Sequence, residues 1–245
     1  LLVRPGVNGR IVHEVTLGGA GGPSAERHAV EEGPLAPDVA EALRARMDEA
    51  GLDEVVATVD EPIVRTEATA FRGESRIGNF VADAYRWAAD SDIGLQNSGG
   101  IREGDPLAGE VTVADLMSVV PFEEDVVVGE LTGRELLRLF RQSSGAVMDF
   151  GRADWWHGHL SGVELVWDHA ATKLVASETT VGGEPVDPEA TYTVATSDYL
   201  FHSEREFPVL DAEHRVDRLD TQYDVLADYA RAVEGRIVRR TADAD

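Results

Sequence analysis

Helix-like and strand-like apolar patterns are interleaved along this chain without strict β–α–β alternation, and that irregular order points to an α+β architecture. Val39, Leu43, Met47 and Ala50 form a stripe at helical spacing, opened by Pro37-Asp38 and stopped by Gly51, and predict a helix over about 37–50. Ile77, Val81, Ala84, Tyr85 and Ala88 predict a second helix over about 74–90, and a short one falls near 113–119. Thr132 with Glu135 has capping-box spacing and starts a helix running to about 144. A last helix, about 221–234, opens at Thr221 with Asp224 and closes at Gly235. Strands are expected near 54–59, 92–96, 125–131, 160–167, 173–181 and 192–197, with an extended stretch at about 62–70. Gly182-Gly183 is expected as a hairpin turn, and the residues around Pro5–Gly9 join apolar stretches at about 1–3 and 11–17 as strand, turn and strand. The Gly-, Pro-, Ser- and Glu-rich stretch from 18 to 37 reads as a linker.

Charge narrows the function. Twenty-two Lys and Arg against 46 Asp and Glu leave a formal net charge of −24, and Lys173 is the only lysine. A nucleic-acid partner needs a cationic face, and so does an anionic membrane surface; neither is expected here. No apolar run is long enough to span a bilayer, and residues 1–5 read as mid-chain sequence without a basic, then apolar leader. Without cysteine there is no disulfide, thiolate nucleophile or Cys-ligated zinc. Self-repulsion at this charge weakens a fold in dilute buffer, whereas at about 1 M salt the Debye length falls to roughly 3 Å. The expectation is a salt-adapted protein, working in a high-salt cytosol or outside the cell. An ordinary acidic protein from a GC-rich gene is the alternative.

Several residues carry possible chemistry. Asn97-Ser98-Gly99-Gly100-Ile101-Arg102 follows a strand, and its glycines would let a ligand approach backbone N–H groups, with Arg102 adding a planar charged fork. A plain turn is the competing reading, and no Gly-Lys-Ser/Thr follows to make it a P-loop. Arg72 and Arg76 flank Glu74 ahead of the second helix, as a phosphate site or as a surface ion pair with Glu74 or Glu67. His157 and His159 have metal-ligand spacing but no evident third ligand, so they also read as exposed loop histidines. Glu123-Glu124-Asp125 reads as a solvated acidic run.

Taken in order, Glu74-x-x-x-Gly78-Asn79-Phe80-x-x-Asp83-Ala84, the loop Asn97–Arg102, Pro121-Phe122 and Leu131-Thr132-Gly133 resemble the C-terminal domain of the 5′-nucleotidase family, which includes UDP-sugar hydrolases and 2′,3′-cyclic-nucleotide phosphodiesterases. Ser161-Gly162-Val163, Trp167-Asp168, Gly183–Asp187 and Tyr192–Thr196 continue the resemblance, which covers about 52–238. It implies a layered α/β/β/α domain that binds the nucleoside part of a substrate. In the family, the phosphoester is hydrolysed by two metal ions in an N-terminal metallophosphoesterase domain. Residues 1–17 resemble the end of that domain, 18–51 a linker and connector helix, and 52–240 the specificity domain. The Asp-x-His and Asn-His-Glu/Asp metal-ligand patterns are not in this sequence. The resemblance therefore implies a chain that binds no metal, is inactive alone, and has its own N-terminal domain as partner.

Carried over position by position, the resemblance makes Asn97, Gly99, Gly100 and Arg102 nucleotide contacts, Phe122 and Tyr199 the two aromatics that sandwich the base, and Arg72 the phosphate-side arginine. Stacking of this kind is worth about 1–3 kcal/mol per base. Two departures stand out. Glu123-Glu124 replaces the family's Gly-Asn after Pro-Phe, and Ser203-Glu204-Arg205-Glu206 replaces a Gly-Gly-Asp-Gly whose aspartate bonds the sugar hydroxyls. Either Glu204 or Glu206 substitutes for that aspartate, or the sugar site differs; the alternative function is a binding module that kept the fold and lost nucleotide specificity.

Overall fold

The computed structural model describes residues 1–4, 9–18, 21–30, 34–148 and 150–233. They fall into two compact units, Leu1–Ala50 and Gly51–Asp245. In the first, β1 (Ile11–Thr16) pairs antiparallel with β2 (Ser24–Ala29), and α1 (Pro37–Glu49) opens on its proline. β2 lies inside the stretch that reads as a linker. Its Ser-Ala-Glu-Arg-His-Ala sequence carries no strand signal, and all six residues are exposed, so backbone pairing rather than burial makes it a strand. The expected turn at 5–8 lies outside the described residues, and β1 finds its partner downstream.

The second unit runs β3 (Val55–Arg65), α2 (Glu67–Phe71), α3 (Arg76–Ala89), β4 (Ile93–Asn97), β5 (Gly104–Thr112), α4 (Val113–Met117), β6 (Asp125–Thr132) and α5 (Gly133–Gln142). Eight shorter or later strands and one helix follow: β7 (Gly158–Ser161), β8 (Val163–Glu164), β9 (Trp167–Asp168), β10 (Lys173–Leu174), β11 (Thr180–Val181), β12 (Glu184–Pro185), β13 (Thr191–Ser197), β14 (Arg215–Thr221) and α6 (Gln222–Ala232). The fold is mixed α+β, as its sequence pattern predicts. Three expectations change. The stretch at 62–70 divides into the end of β3 and the short helix α2, the expected strand at 160–167 breaks after Ser161, and that at 173–181 shrinks to β10 and β11.

The main sheet has the order β14-β6-β13-β4-β7. β13 and β4 run parallel; the other neighbours are antiparallel. Every residue of β4 is buried, so Ile93, Gly94 and Leu95 show no polar alternation and Gln96 and Asn97 close the strand as buried polar groups. β14, Arg-Val-Asp-Arg-Leu-Asp-Thr, lies at the sheet edge, where charged side chains deter further pairing, and those charges are why the sequence pattern does not mark it as a strand. Ala195 of β13 enters a core shared with Phe80 and Tyr85 of α3, Leu226 of α6 and Ile63 of the β3–β5 ribbon. Its neighbour Val194 points the opposite way, into a core with Leu136, Leu139 and Phe140 of α5.

This topology gathers chain ends along one rim. β4 and β13 both finish there, antiparallel β6 and β7 begin there, and β14 arrives through the pairing of Thr221 with Asp125. In open sheets, ligands settle outside the carboxyl ends of parallel strands.

Candidate functional site

β4 ends at Asn97 and passes into a 3-10 turn, Ser98–Gly100. The turn is pinned on both sides. Ser98 donates from its backbone N–H to the His157 carbonyl and from Oγ to the Trp156 carbonyl, both at 2.8 Å, and the Arg102 N–H donates to the Val119 carbonyl at 2.9 Å. A Cβ on Gly100 would stand 2.2 Å from Gln96 Nε2 and 2.6 Å from Asn97 Oδ1, so any side chain here would displace those two amides.

β13 likewise ends in a 3-10 turn, Asp198–Phe201, whose buried Leu200 and Phe201 anchor it while Tyr199 stays 43% exposed. Phe122 stands just ahead of β6, and the guanidinium carbon of Arg102 lies 5.0 Å from its ring centroid, a cation–π contact. These turns enclose a cavity of about 230 Å³ lined by Asn97, Gly99, Gly100, Arg102, Phe122 and Tyr199. Six of the seven residues singled out in the sequence therefore meet in one place. The volume is below the ~300 Å³ at which ligand clefts usually begin, which suits a flat ring with the remainder of a ligand outside.

Arg72 is the seventh, and it lines a separate groove of about 620 Å³ together with Glu74, Asn79, Trp156, Trp167 and His169. Asp154, already held below the usual carboxylate range by its hydrogen bond from Arg152, also feels the charge of Arg72. Arg76 does not pair with Glu74. It donates to the Glu61 carbonyl at 3.1 Å and lies 3.9 Å from the Glu61 carboxylate, while Glu74 accepts from Asn79 Nδ2 at 2.7 Å.

Four further residues line the cavity: Glu124, Ser197, Glu206 and Gln222. Of the two glutamates offered for the aspartate position, Glu206 is the one in the wall. A turn with Ser203 Oγ accepting its N–H at 2.9 Å carries it inward, Asn97 Nδ2 donates to its carboxylate, and Glu204 stays exposed. Burial raises the Glu206 pKa, against the opposing pull of the Asn97 hydrogen bond. Glu124 corrects the reading of 123–125 as a solvated run: Glu123 is exposed, but Glu124 is half-buried in the wall, its pKa raised chiefly by desolvation. The two-residue strand period counted back from buried Val126 marks Glu124 as the inward member. Gln222 carries no such signal, because only the long-range pairing of β14 with β6 delivers it.

The two histidines are buried rather than exposed. His157 packs against the rings of Phe71, Phe150 and Trp155, with centroids 5.7, 5.7 and 6.0 Å away. His159 places Nε2 3.1 Å from the Ala70 carbonyl and 3.2 Å from Ser98 Oγ, and its ring fills the space beside Gly78. Both rings are packing elements of the fold, and among the described residues neither belongs to a cluster of three potential metal ligands. Among the described residues, the one cluster of three potential metal ligands is Glu14, Glu26 and His28, all exposed on the β1–β2 hairpin.

Comparison with known proteins places the fold. A family model described as the 5′-nucleotidase C-terminal domain matches residues 55–212. The chain therefore belongs to the 5′-nucleotidase family, as its C-terminal domain. It is 29% identical over 224 residues to an apyrase of Tabanus yao, a match that takes in 81% of this chain and 39% of that protein. A 5′-nucleotidase of Vibrio cholerae is 26% identical over 187 residues, 76% of this chain and 31% of the relative. Among solved structures, a 5′-nucleotidase precursor from Thermus thermophilus superposes with a TM-score of 0.66 and 27% identity, covering 95% of this chain and 48% of the other. The chain thus spans less than half the length of these relatives.

Proposed function

We propose that this chain is the substrate-recognition part of a metal-dependent nucleotide phosphohydrolase. One observation carries the reading: two aromatic side chains, an arginine and a glycine turn, separated by up to a hundred residues, converge on one cavity at the rim where β4 and β13 end. The base lies against Phe122 and Tyr199, each ring face offering sequence-tolerant stacking. Glu206, held by Asn97, accepts from the sugar hydroxyls; Arg102 and the backbone of Gly99 and Gly100 face the phosphate. Hydrolysis belongs to two divalent ions in a metallophosphoesterase domain outside these residues, where the metals would activate water and clamp the phosphoryl oxygens. This chain lacks the ligand patterns for such a pair, so alone it binds without hydrolysing.

Calorimetric titration of the 245-residue chain with nucleosides and their 5′-monophosphates in molar KCl tests this. Phe122→Ala should weaken nucleosides and nucleotides alike by about 5- to 100-fold. Arg102→Ala should weaken the nucleotides more than the nucleosides. Arg72→Ala, in its separate groove, should leave nucleoside affinity unchanged. Affinities that ignore both Phe122→Ala and Arg102→Ala would remove this cavity as the site.

A further inference from the structure

Stacking and sugar contacts leave Glu124, Ser197 and Gln222 of the cavity wall without a task, and two of these, Glu124 and Gln222, stand side by side. Gln222 is only 2% exposed, and its Oε1 is occupied: the fully buried Tyr85 donates its hydroxyl there at 2.6 Å. That bond fixes the amide and leaves Nε2 as a buried donor with no partner. Glu124 stands beside it, since the Gln222 backbone N–H donates to the Glu124 carbonyl at 3.0 Å. The Glu124 carboxylate is near the Tyr199 backbone N–H and feels the charges of Asp198 and His202, and its own charge reaches the Tyr85 hydroxyl. Among the described residues no arginine or lysine pairs with it. The wall beside the two rings thus offers one amide donor next to a carboxylate with acceptor capacity to spare.

We propose that Glu124 and Gln222 read the edge of the stacked base and that they select guanine. The proposal rests on the cavity being a nucleoside site, and it adds which base that site prefers. A donor beside two carboxylate oxygens is the complement of the guanine edge, where O6 accepts and N1–H and N2–H donate side by side. Hypoxanthine keeps O6 and N1–H but lacks the second donor. Adenine offers one donor and one acceptor in the reverse order, and its bare N1 would face a carboxylate oxygen. Unmet hydrogen-bonding groups in a desolvated wall discriminate far more strongly than a change of shape does. The charge on Glu124 strengthens the paired N–H contacts further.

The test is calorimetric titration of the full chain with guanosine, inosine and adenosine. Guanosine should bind at least tenfold tighter than adenosine, with inosine between them. Glu124→Gln places an amide where the second acceptor stood, and should bring guanosine and adenosine within about threefold of each other while adenosine binding is retained. Gln222→Glu removes the donor and should also cost guanosine most; near-ultraviolet circular dichroism checks that each variant keeps its fold. Adenosine binding as tightly as guanosine, with Phe122→Ala still weakening both, overturns the base selection and leaves the nucleoside site standing. A guanosine preference that survives Glu124→Gln also overturns it. Failure of all three nucleosides to bind removes the nucleoside site and this proposal with it.

Discussion

His159 is sealed among α2, α3 and the Ser98 turn, and burial lowers its pKa from 6.5 to about 4, against the opposing pull of the Ala70 carbonyl. In the unfolded chain the imidazole takes its proton near pH 6.5, before the folded chain can. The stability tied to a neutral His159 is therefore complete above about pH 6.5 and is lost progressively as the pH falls toward 4, up to about 3 kcal/mol. Urea unfolding followed from pH 7 to 4 should show that decline, and His159→Asn, less stable at pH 7, should show a shallower one over the same window. An unchanged slope in the variant would assign the decline to other groups. Residue by residue, the glycine turn and Arg102 are readable from side-chain type, whereas Phe122 and Tyr199 are reached only through the family resemblance. Glu124 was hidden because an acidic chain makes every acidic run look solvated, and Gln222 because its position depends on a strand pairing about a hundred residues away in sequence. Arg72, the phosphate-side arginine of the resemblance, lines a groove separate from the cavity.

Elements with local chemistry of their own were legible. α5 is an example: Thr132 Oγ1 accepts from the Glu135 N–H, and the Glu135 carboxylate accepts from the Thr132 N–H at 2.9 Å, the capping box that its spacing announces. Thr132→Ala should cost about 1 kcal/mol in chemical denaturation, and because α5 contributes no residue to the cavity, nucleoside affinity should not change. A variant as stable as the parent would mean that packing of Leu136, Leu139 and Phe140, not the cap, holds the helix. Strands fared differently. β6 advertises itself through a continuous apolar run, whereas β2, β5 and β14 are strands only because a partner offers them hydrogen bonds. Gly-Asp-Pro-Leu-Ala-Gly-Glu-Val-Thr in β5 reads as a loop until β3 is laid alongside it.

For the whole molecule, a net charge of −24 would repel a nucleotide at long range, so under the proposed function the cavity must rely on contact. The same charge should make the fold salt-dependent: raising KCl from about 0.1 to 2 M should raise the melting temperature by several degrees as the Debye length shrinks. A melting curve that does not move would detach the acidic surface from any adaptation to salt. The central claim, that the rim of the main sheet is a nucleoside site, is tested most directly by the crystal structure of this chain with a bound nucleoside. The account predicts a base against the rings of Phe122 and Tyr199, its edge toward Glu124 and Gln222 and its sugar at Glu206. A nucleoside lodged instead in the groove of Arg72 and Trp167, with the cavity left to water, would contradict it.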